Sequence, residues 1–488
     1  MRLDELCEGS GGTVGIGSGI EIKGLTADSR AVEPGFLFAA LPGTRSHGRD
    51  FIPEALRRGA VAILADPDTT LPSSDGVVLV TDPNPRRRLS LMAAVFYRAQ
   101  PRTIAAVTGT SGKTSTADFT RQIWTRLGRK AASLGTLGMI APGREEYLPL
   151  TTLDPVGLHQ RLDYLGRAGI DHLAIEASSH GLDQYRLDGV RVSVAAFTNI
   201  SHEHLDYHGS MAAYLAAKKR LFAELLPAGG PAVLNADAPE YSEMEELCRS
   251  RGCRVMSYGR AGGTLRLERQ QAVPSGQELT IRIEKTRLDI LFPVPGSFQA
   301  MNAMAALGLV ISSGGDPARA AQALGELKGV RGRIEHVATH PSGARIYVDY
   351  AHKPDALETV LKAVRPHVTG RLTVIFGCGG DRDRAKRPLM GAIATRLADR
   401  VIVTDDNPRS EEPAAIRREI LAAAPGAVEI GDRGEAIRSA VAGLKAGDIL
   451  VVAGKGHETG QLVGTKTLPF DDAEVARDAV AEIEGGVQ

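Results

Sequence analysis

TIAAVTGTSGKTSTADFT, residues 103–120, decides the fold. A β-branched apolar run passes into a Gly/Ser/Thr loop and then into helix-forming residues, the order of a phosphate cradle at the edge of a parallel sheet. Gly109 and Gly112 free the backbone to turn its N–H groups inward. Lys113 brings a cation to the terminal phosphates, and the Thr114 hydroxyl can hold Mg²⁺. The expected ligand is ATP or GTP. The common GxxxxGK[ST] spacing would need glycine where the chain has Val107, so the loop is the shorter G-T-S-G-K-T. The structural alternative is a glycine-rich strand-to-helix turn with an incidental lysine.

Length and composition bound the rest. The 488 residues predict about three domains at roughly 150 residues each. Acidic and basic residues balance at 58 each, so no whole-chain field draws the protein to nucleic acid or to an anionic membrane. Anionic ligands must be met by local clusters. The amino terminus, MRLDELCEGSGG, has no basic segment followed by an apolar run, and no stretch approaches the roughly 18 apolar residues of a membrane span. A cytoplasmic protein is expected. Cys7, Cys248, Cys253 and Cys378 are too few and too scattered for a disulfide framework or a Cys₄ zinc site.

Outward from the phosphate loop, residues 98–330 alternate strand and helix, with strands expected at IAAVTG, HLAIEAS (172–178), VSVAAFTNI (192–200) and PAVLNADA (231–238). Such alternation predicts a parallel sheet covered by helices, with ligands beyond the carboxyl ends of its strands. The residues there are Glu176 with Ser178, Ser179 and His180, then Thr198 and Asn199, then Asn235 and Asp237. Residues 1–97 read as a small α/β domain whose last helix, RRRLSLMAAVFYRAQP, is expected to end at Pro101. Asp28, Ser29 and Arg30 and the loop Gly43 to Gly48 suit a phosphorylated ligand or plain turn chemistry equally. Residues 331–488 repeat the alternation at RIYVDYAH, LTVIFGCGG, RVIVTDDNP, AVEIGD and DILVVAGKGHE, a second doubly wound domain. GCGGD does not match GxGxxG, which argues against NAD. Its strand ends carry Asp349, His352, Asp381, Arg382, Asp406, Arg409, Lys455 and Glu458, the paired charges a zwitterionic amino acid would require.

FTNISHEHLDYHGS, residues 197–210, is dense in histidine and acid, but HEH is not HExxH and no thiolate accompanies it, which argues against zinc. Mg²⁺ shared between protein and phosphate oxygens fits better, with Glu176 and His204 as its protein ligands.

Taken together, TGTSGKT, EASSHGLDQYR, TNISHEHLDYHG with AAKKRLF, GSFQAMNAMAA, VDYAHKPDAL and DNPR resemble the Mur ligases of bacterial cell-wall synthesis. The motifs keep that family's order from about residue 24 to 458, and the nearest likeness is to the members that add a diamino acid. The resemblance implies three domains: a UDP-sugar-binding domain at 1–97, an ATP-binding P-loop domain at 98–330 and a Rossmann-like amino-acid-binding domain at 331–488. It makes Gly109, Thr110, Ser111, Gly112, Lys113, Thr114 and Ser115 the ATP phosphate loop, with Asn199, Asn302, Arg333, Asp349 and His352 also at the nucleotide. Thr114, Glu176 and His204 become magnesium ligands, and Lys218 a lysine that CO₂ converts to N6-carboxylysine, an anion able to hold a second Mg²⁺. Lys113, Lys218, Glu176 and His204 form the implied catalytic group.

For UDP-N-acetylmuramoyl-L-alanyl-D-glutamate the resemblance implies Ser29, Thr44, Arg45, Ser46, Thr151, Thr152, Ser178, Gln184 and Arg186. For meso-diaminopimelate it implies Arg382, Asp406, Asn407, Pro408, Arg409, Gly454 and Glu458. Diaminopimelate ends in a carboxylate that lysine lacks, and Arg409 or Arg382 offers a bidentate donor for it. The chain departs from the family pattern at Leu150, Leu153, Glu203 and Gln299. The implied activity is an ATP-dependent amide ligase of peptidoglycan precursor synthesis, expected to be monomeric. Its rivals are a lysine-adding ligase of the same family and a regulatory P-loop ATPase.

Overall fold

The computed structural model describes residues 1–11, 19–43, 47–71 and 76–485. Two compact units divide the chain: residues 1–264 with 305–320, and residues 265–304 with the chain from 321 onward. The architecture is mixed α/β with parallel sheets in both units.

The first unit opens with a four-stranded parallel sheet, Gly24–Thr26, Phe36–Ala39, Ala62–Ala65 and Val78–Thr81. The helix Pro85–Phe96 follows, with Pro85 in its first turn and the Asn84 side chain accepting from Arg87 N at 3.0 Å. It ends at Phe96 rather than at Pro101. Tyr97 leaves the helical region (φ −100°, ψ 86°), and the chain beyond it is fastened elsewhere, Ala99 N to Asp163 Oδ1 and Gln100 Nε2 to Gly189 O, each at 2.9 Å.

A larger sheet in this unit runs Arg254–Gly259, Pro231–Asn235, Val194–Phe197, Thr103–Thr108, His172–Glu176, Ala131–Gly135, Gly138–Ala141, Arg144–Glu146. The first six strands are parallel. From Thr103–Thr108 the chain goes first to one side and later to the other, so the strand order reverses at its carboxyl end, where open α/β sheets bind ligands. Its strands are buried on both faces and therefore read as nearly continuous apolar runs. Four strands of this sheet escaped sequence reading, Arg254–Gly259 and three others. Ala131–Gly135, of sequence AASLG, lacks β-branched residues, and Gly138–Ala141 and Arg144–Glu146 extend the sheet by antiparallel pairing.

The second unit begins with an antiparallel meander, Leu265–Val273, Gly276–Ile283 and Thr286–Phe292, where strand–helix alternation was expected. Leu279, Ile281 and Ile283 are buried with period two, and Glu284 turns the chain at φ 51°. A six-stranded sheet follows in the order Glu335–Thr339, Arg345–Asp349, Ile449–Ala453, Leu372–Phe376, Arg400–Val403, Val428–Glu429, parallel except for the first pair. AVEIGD thus contributes only two residues of strand. Successive side chains feed opposite faces: Tyr347 joins one apolar cluster, Ile346 and Val348 the other. Among the described residues no helix is long and apolar enough to cross a membrane.

Candidate active site

The phosphate loop lies where the strand order reverses. Gly109 takes φ 150°, and a Cβ there would lie 1.9 Å from Thr198 Oγ1. Gly112 takes the left-handed φ of 88° and starts the helix Lys113–Arg126 with no side-chain cap, so its first-turn N–H groups can face an anion. The neighbouring strand end scaffolds the loop. Thr198 Oγ1 donates to Ser111 O at 2.7 Å, Asn199 Oδ1 accepts from Ser111 N at 3.0 Å, and Thr110 N donates to Asn199 O at 2.8 Å. Ser115 is buried in the first turn.

Two lysines converge on one carbonyl. Lys113 Nζ donates to Gly109 O and Thr110 O, and Lys218 Nζ donates to the same Gly109 O, all at 2.8 Å. Lys218 is 1% exposed, with its Nζ 4.2 Å from the centre of the Tyr214 ring. Burial, reinforced by the Lys113 cation, pushes the Lys218 ammonium down to about 6. At neutral pH the side chain is therefore an uncharged amine, the form that can add to CO₂.

Glu176 ends the adjacent strand, 2% exposed. Its carboxylate accepts from Thr114 Oγ1 at 3.1 Å, Thr136 N at 2.7 Å and Thr136 Oγ1 at 3.2 Å. A Cβ on Gly135 would lie 2.1 Å from Glu176 Oε1, so glycine leaves room for this carboxylate. A small cavity borders it, lined in part by Thr114, Asp118, Ser133 and Gly135. A carboxylate beside a hydroxyl is a hard-oxygen donor set that fits Mg²⁺ completed by phosphate and water. Among the described residues no three His, Cys, Asp or Glu side chains gather as a self-sufficient metal centre. His204 adopts φ 56° ahead of the short helix Leu205–His208. Its ring lies 4.8 Å from that of His180 and 6.0 Å from that of Tyr214, which places it in the aromatic cluster beside Lys218.

The residues expected at the sugar peptide interlock nearby. Thr152 Oγ1 donates to Glu176 O at 2.9 Å and meets Ser178 Oγ at 3.0 Å, and Ser178 caps the helix Ser179–Asp183. Thr151 Oγ1 is 3.0 Å from Thr136 Oγ1. Arg186 donates to Thr152 O at 2.8 Å and through Nη2 to Gln184 Oε1 at 2.6 Å, bonding to no carboxylate among the described residues. Burial, then the positive field of Arg86, lowers its pKa against the pull of Asp154. Ser29 is buried and its hydroxyl is committed to Glu54 Oε2 at 2.8 Å. Thr44, Arg45 and Ser46 lie outside the described residues.

Asn302, Arg333, Asp349 and His352 belong to the second unit. Asn302 Nδ2 donates to Gln299 Oε1, whose Nε2 donates to Arg333 O. Asp349 accepts from Ile334 N at 2.7 Å and Ala351 N at 2.8 Å, yet burial pushes its carboxyl up to about 6 against Arg333 and those N–H groups. Arg333 lies 4.9 Å over the Tyr350 ring, and that ring meets His352 edge-on at 4.5 Å and lies tilted against His457 at 5.0 Å.

The Asp406–Arg409 turn in this unit is assembled around one amide. Asn407 Oδ1 accepts from Lys455 Nζ at 3.0 Å and Leu462 N at 2.9 Å, and Asn407 Nδ2 donates to Glu458 Oε2 at 3.0 Å. Gly454 (φ 119°) leaves space for Asp406, whose Oδ2 would be 2.7 Å from a Cβ there. Pro408 is followed by Arg409 at φ 54°, a conformation held by Arg409 N to Leu462 O (3.0 Å) and Gly464 N to Arg409 O (2.7 Å). The Arg409 guanidinium donates to the Gly380 and Asn407 carbonyls at 2.8 and 3.4 Å, leaving its charge unpaired by any acid within salt-bridge reach among the described residues. Arg382 is exposed and donates to Asp381 O at 3.5 Å. Lys455 is fully buried, and burial lowers its pKa.

Sequence reading missed Thr136, Gly135, Leu462 and Gln461, the last of which donates to Asp406 O at 2.7 Å. The Gly464–Thr465 pair between two short runs could have flagged the hairpin Gly460–Val463 and Lys466–Pro469. AASLGT offered no comparable signal.

Three family models match successive stretches of the chain. Residues 21–97 match the model of the Mur ligase family, catalytic domain, residues 107–310 the Mur ligase middle domain, and residues 332–456 the Mur ligase, glutamate ligase domain. A UDP-N-acetylmuramoyl-L-alanyl-D-glutamate–2,6-diaminopimelate ligase of Bradyrhizobium diazoefficiens is 52% identical over 485 residues, 99% of each chain. The protein of the same name from Brucella melitensis biotype 1 is 53% identical over 483 residues, 99% of this chain and 98% of that one. A solved structure bearing that name superposes with a TM-score of 0.72 at 32% identity, covering 95% of both chains. Matched in each of its parts and sharing half its residues with such relatives along nearly its whole length, the chain belongs to the Mur ligase family.

Proposed function

We propose that the protein is an ATP-dependent amide ligase. It joins meso-diaminopimelate to the D-glutamate γ-carboxylate of UDP-N-acetylmuramoyl-L-alanyl-D-glutamate in peptidoglycan precursor synthesis. The observation that carries the reading is the Asp406–Arg409 turn, which carries the acid Asp406, bonds Glu458 through Asn407 Nδ2, and holds a guanidinium that, among the described residues, hydrogen-bonds only to carbonyls. An α-amino acid with a distal carboxylate needs those two signs of charge together.

In this reading Lys113 leaves the Gly109 and Thr110 carbonyls to meet the terminal phosphate of ATP, and the open first-turn amides of Lys113–Arg126 face the phosphate chain. Thr114, Glu176 and His204 would hold Mg²⁺, with Lys218 as its carbamate at a second ion; bound there, Mg²⁺ neutralises charge developing on the transferred phosphoryl group. Arg186 and Thr152 orient the peptide carboxylate in line with the γ-phosphorus. Its oxygen attacks phosphorus, ADP leaves, and an acyl phosphate results. The neutral amine of diaminopimelate, held through Arg409 and Asp406, then attacks the acyl carbon, phosphate departs and the amine loses its proton. No protein nucleophile is required.

The acyl phosphate is testable with substrate carrying ¹⁸O in the D-glutamate γ-carboxylate. Released phosphate should contain one ¹⁸O atom per tripeptide formed. Unlabelled phosphate accompanying tripeptide formation would exclude this route.

A further inference from the structure

The turn between Leu182 and Val190 carries Gln184 and Arg186, and its fastening is unusual. Asp188 is 3% exposed and accepts from two arginines. Arg220 Nη2 reaches both carboxylate oxygens at 2.8 Å, and Arg87 Nε reaches Oδ1 at 2.9 Å. The same Arg220 guanidinium donates through Nη1 to Leu182 O at 2.6 Å and lies 4.0 Å over the Tyr185 ring. Tyr185 takes φ 57°, an uncommon conformation for a bulky residue, and its carbonyl accepts from Ser90 Oγ. One guanidinium thus grips both ends and the strained middle of the turn.

Arg220 also sits two residues after Lys218 on the helix Met211–Arg220, and is itself 8% exposed. The pair therefore ties the helix that carries Lys218, whose Nζ bonds the phosphate-loop carbonyl of Gly109, to the turn that carries Gln184 and Arg186. Well-packed apolar residues stabilise a fold at least as well as a buried ion pair, so stability alone does not account for this one. A pair with hydrogen bonds at fixed angles supplies geometric definition instead.

We propose that Arg220 and Asp188 are positioning residues that set the sugar-peptide turn against the Lys218 helix. They act through Gln184 and Arg186 and touch neither substrate. The inference rests on the ligase reading for the identity of the ligand, and calorimetric binding of UDP-N-acetylmuramoyl-L-alanyl-D-glutamate to the full chain tests it without turnover. Arg220→Met should weaken that binding, and raise the corresponding KM, about tenfold. The KM for ATP should stay within about twofold of wild type, because the phosphate loop is held by its own bonds to Thr198, Asn199 and Lys218. Arg220→Lys should recover part of the loss, and Asp188→Asn, which keeps the side chain's shape, should reproduce the Arg220→Met split. If Arg220→Met does not fold, Asp188→Asn carries the test. Unchanged sugar-peptide binding in a folded variant, or equal losses for ATP and sugar peptide with lysine no better than methionine, would overturn the inference. Wild-type binding without amide formation would instead fault the ligase reading alone.

Discussion

Gly135→Ala should disable the enzyme through a single methyl group. The backbone at Gly135 has no positive φ, so alanine is conformationally allowed there and only space is at issue. The added Cβ would stand 2.1 Å from Glu176 Oε1, 2.5 Å from its Cγ and 2.6 Å from its Cδ. A normal C···O approach is about 3.3 Å, so the carboxylate must withdraw by roughly an ångström or the strand must move. Thr136 N, at 2.7 Å, and the Thr136 and Thr114 hydroxyls would then lose their acceptor. Each hydrogen bond to a charged group contributes about 1.5–3 kcal/mol, so losing two of these three costs on the order of 3–6 kcal/mol. An ångström of misplacement at a reacting centre costs roughly 10²-fold in rate. The assay is phosphate release against Mg²⁺ concentration, with thermal unfolding in parallel. Gly135→Ala should lower kcat about 100-fold and raise the Mg²⁺ requirement at a temperature where the variant remains folded. Activity within about threefold of wild type at the same Mg²⁺ requirement would refute Glu176 as the metal-side carboxylate.

Three further outcomes follow from other groups. Asp349, raised by burial to about 6 in the fold from its ordinary 3.8, binds a proton more readily folded than unfolded. Its contribution to stability is complete below about pH 4 and lost as pH rises through 6, by at most roughly 3 kcal/mol; urea unfolding of Asp349→Asn should lack this decline, and parallel pH profiles would contradict it. Lys218, neutral above about 6, should give a ¹³C-carbamate resonance with labelled bicarbonate at pH 8 that Lys218→Met abolishes and that fades on acidification through pH 6; a signal surviving the substitution would place the modification elsewhere. Arg409→Lys removes a bidentate donor, so kcat/KM for meso-diaminopimelate should fall about 10–100-fold with the KM for ATP unchanged, and a loss below about threefold would detach Arg409 from the distal carboxylate.

Legibility from sequence tracked the range of the interactions involved. The phosphate loop was readable because strand, glycines, lysine and helix are consecutive, and the loop conformation is local. The parallel strands His172–Glu176 and Val194–Phe197 were readable as apolar runs of four or five residues. Ala131–Gly135 was not, since small residues carry little strand preference and its role is to leave room for a carboxylate 41 positions later. The meander from Leu265 to Phe292 was hidden by the expectation of alternating helices, although its apolar residues Leu279, Ile281 and Ile283 alternate along the strand. The Asp188 knot could not be foreseen, because Arg87, Asp188 and Arg220 are neighbours only after three segments fold together. The hairpin that holds Arg409 at φ 54° lies more than 50 residues beyond it, so the turn could be spelled from sequence but its strain could not.

The central claim is that ATP cleavage is coupled to one particular amine. Phosphate release from ATP and Mg²⁺ in the presence of UDP-N-acetylmuramoyl-L-alanyl-D-glutamate should be measured with meso-diaminopimelate, with L-lysine and with no amine, and the products identified by mass. The account predicts sustained release and a tripeptide product with meso-diaminopimelate alone; equal release without any amine, and no tripeptide, would contradict it.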